Sequence, residues 1–142
     1  MFYDFAHISL RLLNLTLEFK PFFMRVEELM STPVVITQRN VKVQHLRDTF
    51  SRKGINAVPV LEDDGTISGI VSASDVAKCH DESLLVQNIM SDRVHIALKN
   101  NRVKDAANMM VKNEVHHLVV MEDGNVVGML SSMDIVKIYA SE

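Results

Sequence analysis

The chain has 142 residues, 47% of them apolar and 23% charged. That is enough for one domain with a sizeable core, or for two very small units that share one, and it argues against both a multidomain enzyme and a disordered chain. Fifteen basic and 18 acidic residues are interspersed to a net charge of −3, which leaves no basic footprint for nucleic acid, and the lone Cys79 allows no internal disulfide, which suits the reducing cytoplasm.

The N-terminal segment "MFYDFAHISLRLLNLTLEFKPFF" is strongly apolar, but Asp4, Arg11, Glu18 and Lys20 interrupt it. It also lacks a charged leader and a small-residue cleavage site, so neither a membrane span nor a signal peptide is expected. Phe5, Ile8, Leu12, Leu15, Phe19 and Phe22 fall at helical spacing, which predicts an amphipathic helical extension over residues 1–23. Leu10, Leu13 and Leu17 widen that stripe, so the helix is expected to pack against the body or against another subunit.

The remainder of the chain repeats itself. "LMSTPVVITQRNVKV" from Leu29 aligns with "IMSDRVHIALKNNRV" from Ile89, and "GIVSASDV" from Gly69 aligns with "GMLSSMDI" from Gly128. One residue is lost between them, in the turn where "EDDG" becomes "EDG". Each copy reads in the same order, over residues 26–80 and 86–139. An apolar run (Val34–Ile36; Val94–Ile96) predicts a strand, and a helix follows Asn40 or Asn100. Val43, Leu46 and Phe50 form its buried face in the first copy, and Val103, Ala106, Ala107 and Met110 in the second.

The periodicity then changes to that of strands. "AVPVL" and "HLVVM" lead through an Asp-Gly turn into "TISGIVS" and "NVVGMLS", a hairpin. A last helix opens at Ser74 or Ser132. A strand-helix-strand-strand-helix unit of about fifty residues buries too little to stand alone, so the two copies should pack sheet to sheet. Met109, Met110, Met121, Met129 and Met133 are expected to fill that core.

Two such units, each ending in Gly-apolar-apolar-Ser-x-x-Asp-apolar, resemble a tandem pair of CBS domains, the Bateman module. The resemblance implies an α/β fold of two βαββα repeats related by a pseudo-two-fold axis, with two clefts between them that often hold adenine nucleotides. It also implies pairing into a homodimer.

The motif's chemistry can be argued from its residues. Gly69 and Gly128 let a strand bend or admit a close-approaching group. Ser72 and Ser131 present hydroxyls at a helix start, where free N–H groups favour an anion. Asp75 and Asp134 could accept both hydroxyls of a ribose. The same Ser and Asp would also serve as helix caps. By resemblance, the walls for the base come from Ile55, Asn56, Ala57 and Pro59 in the first repeat and from Val115, His116, His117 and Leu118 in the second. Ile36 and Thr37, or Ile96 and Ala97, form the other side. Val119 stands where the family usually has proline.

His116 and His117 are adjacent on a predicted strand and so point to opposite faces, which opposes chelation of one metal, and no Cys or Glu partner lies at ligand spacing. "VHHLVV" is similar to a "VHRLVV" stretch in the nucleotide-sensing subunit of the AMP-activated protein kinase. That likeness implies that His116, with His117, reaches the phosphate of a nucleotide whose ribose is held by Asp75. No nucleophile with a nearby base marks a catalytic centre, and Cys79 in "AKCHDES" reads as a helix residue near a linker. The expected function is therefore a non-enzymatic regulatory module that binds AMP, ADP or ATP and acts on a protein partner. The alternative is a ligand-free oligomerisation scaffold.

Overall fold

The computed structural model describes residues 8–12, 22–81 and 83–140. Residues 8–12 are helical, and Ile8, Leu10 and Leu12 are exposed. Phe5, Leu13, Leu15, Leu17 and Phe19 of the expected stripe lie outside the described residues.

Each repeat forms a three-stranded sheet. In the first, β1 (Thr37–Gln38) runs parallel to β2 (Ala57–Leu61), which pairs antiparallel with β3 (Ile67–Ser72). The second sheet copies this order with β4 (Ile96–Leu98), β5 (His117–Glu122) and β6 (Asn125–Ser131). Helices α1 (Val43–Lys53) and α2 (Ala73–Lys78) belong to the first repeat, and α4 (Val103–Asn113) and α5 (Ser132–Ala140) to the second; the short α3 (Val86–Ile89) lies between them.

Helix α1 forms because Val43, Leu46 and Phe50 share one face, and all three are buried in the first core with Val58, Val60 and Val71. It stops at Gly54, whose φ of 62° is the left-handed conformation that ends helices. In α4 the buried face is Val103, Ala106 and Met110, and Ala106 and Met110 share the second core with Leu118, Val120 and Leu130. Ala107 is only half-buried because it turns toward a groove lined by Ile135 and Tyr139. The hairpin in the second repeat turns on Asp123 and Gly124, both at positive φ, between the paired Glu122 and Asn125. This is the tight two-residue turn that Asp-Gly favours.

The alternation of β2 and β5 sends Val58 and Val60, and Leu118 and Val120, into the two cores beneath the helices. The opposite faces carry Ala57 and Pro59, and Val119, which are buried too. Both central strands are thus covered on two sides, as expected of sheets packed together. Of the methionines expected in the core, Met110 is buried and Met109 packs against the second core. Met129 and Met133 instead line a cleft, and Met133 is 56% exposed, because it follows Ser132 on the outward side of α5.

Two expectations shift. The first strands lie at Thr37–Gln38 and Ile96–Leu98 rather than at Val34–Ile36 and Val94–Ile96, since residues 34–36 run without ladder partners. The last helix of the first repeat opens at Ala73, one residue before Ser74, because Ser72 is its cap.

The leading segments of the repeats are exchanged. Val26 and Glu27 donate backbone N–H bonds to the Asn101 and Lys99 carbonyls, and Val26 is fully buried in the second core. In the same way Val86 and Gln87 donate to the Val41 and Arg39 carbonyls, and Val86 is buried in the first core. Farther on, Ser31 bridges to Met129 and Ser91 to Ile70. Neither core is complete without a segment that belongs, in sequence, to the other repeat.

Candidate functional site: a cleft between the repeats

The Ser-x-x-Asp motif ends the hairpin of each repeat and starts the next helix. The Ser72 N–H donates to Asp75 Oδ2 at 2.8 Å, the Ser72 hydroxyl donates to the same oxygen at 2.9 Å, and Asp75 N–H returns a bond to Ser72 Oγ at 3.3 Å. In the second repeat, Ser131 N–H donates to Asp134 Oδ2 at 2.9 Å and Asp134 N–H donates to Ser131 Oγ at 3.1 Å. This reciprocal capping fixes each carboxylate. No described bond reaches Oδ1 of either aspartate, so each presents one oriented acceptor oxygen.

Around Asp134 this becomes a cleft of about 210 Å³. Ile55, Asn56 and Ala57 of the first repeat face His117, Ser131 and Asp134 of the second across it. These six expected residues are brought together. Val34, Val35, Met129 and Lys137 also line it and were not singled out from the sequence. Lys137 was legible in principle, since it lies one helical turn beyond Asp134 and hence on the same face.

The other expected residues lie elsewhere. Thr37 is buried and, with Ile36, lines a groove beside α1 that includes Val41, His45 and Thr49. Ala97, its counterpart, is buried in the second core, and Ile96 is exposed. Pro59 and Leu118 are fully buried. Val115 and His116 line a shallow depression with Glu114 and Ser132, where Ser132 Oγ is 3.5 Å from His116 Nδ1. Ser72 and Asp75 hold the positions in the first repeat that Ser131 and Asp134 hold in the second.

The adjacent histidines therefore separate, His117 into the cleft and His116 to the exposed depression. Burial holds the His117 imidazole below its ordinary pKa and the neighbouring His116 lowers it further, while Asp134 opposes both. At neutral pH the cleft thus offers a carboxylate oxygen, the Lys137 ammonium and a neutral imidazole beside the Ile55 to Ala57 backbone. That set suits reversible binding of a polar ligand. Among the described residues no group of three or more His, Cys, Asp or Glu could hold a metal, and no helix is long and apolar enough to cross a membrane.

The sequence model of the CBS domain matches residues 26–82 and 86–141. An uncharacterised protein of Methanocaldococcus jannaschii, MJ1225, is 26% identical over 121 residues, a match that takes in 82% of this chain and 43% of that protein. A second from the same organism, MJ1426, is 26% identical and is matched over 90% of its length. A homoserine O-acetyltransferase of Methanocorpusculum labreanum is 32% identical over 112 residues, but these are only 23% of that enzyme. The chain thus spans less than half of several of these relatives. Among solved structures, the CBS domain pair of protein MJ0100, in complex with 5'-methylthioadenosine and S-adenosyl-L-methionine, superposes with a TM-score of 0.77 at 24% identity, covering 82% of this chain and 96% of that one. CBS pairs of this kind are regulatory modules. With both repeats matched and the fold shared, the chain belongs to the CBS domain family and carries a tandem pair of its repeats.

Proposed function

We propose that this protein is a regulatory module that binds an adenine nucleotide, AMP, ADP or ATP, between its repeats. The observation that carries this reading is the convergence, in one cleft, of the oriented Asp134 carboxylate with the Ile55–Ala57 backbone, His117 and Lys137. Asp134 Oδ1 accepts from the ribose, the apolar walls receive the base, and Lys137 and His117 lie where an anionic group would gain most. The space is small and open, so base and ribose fill it and the phosphates reach toward solvent. The first-repeat counterpart, built on Ser72 and Asp75 with His116, forms the second site of the pair.

Occupancy acts on a partner through unequal affinity for two states. The module works as a homodimer in the cytoplasm, where its buried Cys79 thiol stays reduced. Exposed Val136 and Tyr139 on α5 and Val111 on α4 offer apolar surface for that pairing. Thermal denaturation with and without AMP, ADP, ATP and S-adenosylmethionine tests the reading. A ligand at a hundred times its Kd stabilises by about 2.7 kcal/mol, a readily measured shift. Stability unmoved by any adenine nucleotide at millimolar concentration would favour the ligand-free oligomerisation scaffold.

A further inference from the structure

The two repeats differ in the groove between their outer helices. In the first, the Arg47 guanidinium on α1 donates to the Val76 and Cys79 carbonyls at 3.1 and 2.9 Å, so its side chain spans the groove to the end of α2. The corresponding residue of α4 is Ala107. Between α4 and α5 about 120 Å³ is left open, lined by Val103, Ala107, Ile135 and Tyr139, with Phe22 as a further wall. Lys104 Nζ lies 5.4 Å from the centre of the Phe22 ring, a cation–π contact. The chain that follows keeps Phe22 there: Val103 N–H donates to the Met24 carbonyl at 2.8 Å, and Val26 is buried in the second core. The N-terminal segment thus joins the body at the edge of this groove. Helix α5 beside it has no buried residue, and its exposed Val136 and Tyr139 stand where the first repeat has Ala77 and His80. Ile8 and Leu10 of the N-terminal segment are exposed as well.

We infer that the α4–α5 groove and the exposed side of α5 receive the N-terminal segment of a second copy of this chain, the two copies exchanging residues 1–21 about a two-fold axis. This rests on the homodimer of the proposed function and assigns what holds it together. Cover by the same chain would hide both surfaces, yet within one chain Leu10 is 56% exposed and Tyr139 74%. A second copy supplies the missing half to each at once, because every chain carries both the apolar segment and the face that fits it. Phe22 shows what the groove accepts, an aromatic ring from this same segment, and Phe19 and Leu15 repeat that chemistry upstream. In the first repeat Arg47 occupies the equivalent space, which confines the exchange to the second.

Sedimentation equilibrium of the full chain reads this directly. Wild type should be a dimer, and Ile8→Glu combined with Leu10→Glu should raise its dissociation constant at least about tenfold, since two large apolar contacts are lost. Both residues are exposed within one chain, so folding does not depend on them. Ala107→Arg places the arginine of the first repeat in the groove and should weaken the dimer by a similar factor, with its fold checked by thermal melting. Val136→Glu should weaken it too, whereas Ala77→Glu, at the counterpart position in the first repeat, should leave the constant unchanged. A dimer equally tight in the Ile8 and Leu10 double variant, or in folded Ala107→Arg, would overturn the exchange and leave the homodimer standing. Wild type that stays monomeric at high micromolar concentration would overturn the homodimer and the exchange together. Nucleotide binding is read separately, by the effect of AMP on thermal denaturation.

Discussion

The Ser91 carbonyl lies over Gly69 so closely that a β-carbon there would come within 2.8 Å of it. The contact belongs to the exchanged leader of the second repeat, whose Ser91 pairs with Ile70 in both directions at 2.9 Å. Gly128 sits in the same relation to Ser31, whose carbonyl would be 3.0 Å from an added β-carbon, with Met30 Sδ at 2.8 Å. The glycines that open the two motifs are therefore required by the crossing of a backbone.

A β-carbon at either position also meets a flexible methionine, Met90 Sδ at 2.9 Å from position 69 and Met30 Sδ at 2.8 Å from position 128, so what separates the two substitutions is the backbone oxygen, at 2.8 Å in Gly69→Ala and 3.0 Å in Gly128→Ala. Overpacking of this kind costs roughly 1–3 kcal/mol. Gly69→Ala is expected at the upper end and Gly128→Ala at the lower, measured as the shift in equilibrium urea unfolding. Equal and negligible losses would mean that the leaders move aside freely.

The exchange also decides what a half-chain can do. A fragment ending at His80 keeps the helices and sheet of the first repeat but lacks Leu84, Val86, Ile89 and Met90, which complete its core. It retains Val26, which has lost the second core that buries it. Such a fragment should show no cooperative thermal transition, and adding the complementary fragment should restore one. A sharp transition from the first half alone would show that the leader is dispensable.

Helix α4 ends on Glu114 at φ 54°, where its counterpart α1 ends on Gly54. A side chain in the left-handed region costs about 1–2 kcal/mol, partly offset by the lower freedom of a non-glycine residue when unfolded. Glu114→Gly is expected to stabilise the protein by about 0.5–1 kcal/mol in the same urea experiment. A loss would show that the Glu114 side chain has a compensating contact.

The order of elements was legible because hydrophobic spacing changes where the structure changes. Val43, Leu46 and Phe50 mark a helix face, and "HLVVM" followed by Asp-Gly marks a hairpin. The short helix Val86–Ile89 and the turn at Val26–Glu28 carried no such signal, for they are held by backbone bonds to Val41 and Asn101, far along the chain. The site divides in the same way. Ser131 and Asp134 stand in a local motif, whereas Val35 and Ile55 to Ala57 reach the same cleft only because the first repeat packs against the second. Ile36 and Thr37 looked equivalent to their neighbours in sequence, but alternation sends Thr37 to the interior.

Asp134 should accept from a ribose through the oxygen that capping leaves open. Asp134→Ala removes that acceptor and a charge-assisted bond worth roughly 1.5–3 kcal/mol, so AMP affinity should fall at least about tenfold. Asp134→Asn, which keeps an acceptor oxygen able to cap the helix, separates binding from fold. A full loss in Asn with unchanged thermal stability assigns the charge to the ligand; unchanged affinity in both variants would remove Asp134 from the site.

His117 couples both stability and binding to pH. Its pKa in the folded chain lies below the ordinary imidazole value of 6.5, chiefly through burial, so the unfolded chain binds more protons as pH falls below that value. The resulting contribution is fully present above about pH 6.5 and is lost as pH falls through the folded pKa. His117→Gln should flatten this part of the stability profile between pH 7 and 5. Binding should run the other way, because a phosphate in the cleft favours the imidazolium and AMP would bring a proton with it. Relative to His117→Gln, wild type should gain AMP affinity between pH 8 and pH 6, while adenosine shows no such gain. Taking the difference from the variant removes the phosphate's own titration. Parallel pH profiles for AMP in wild type and His117→Gln would place His117 away from the phosphate, leaving its effect on stability intact.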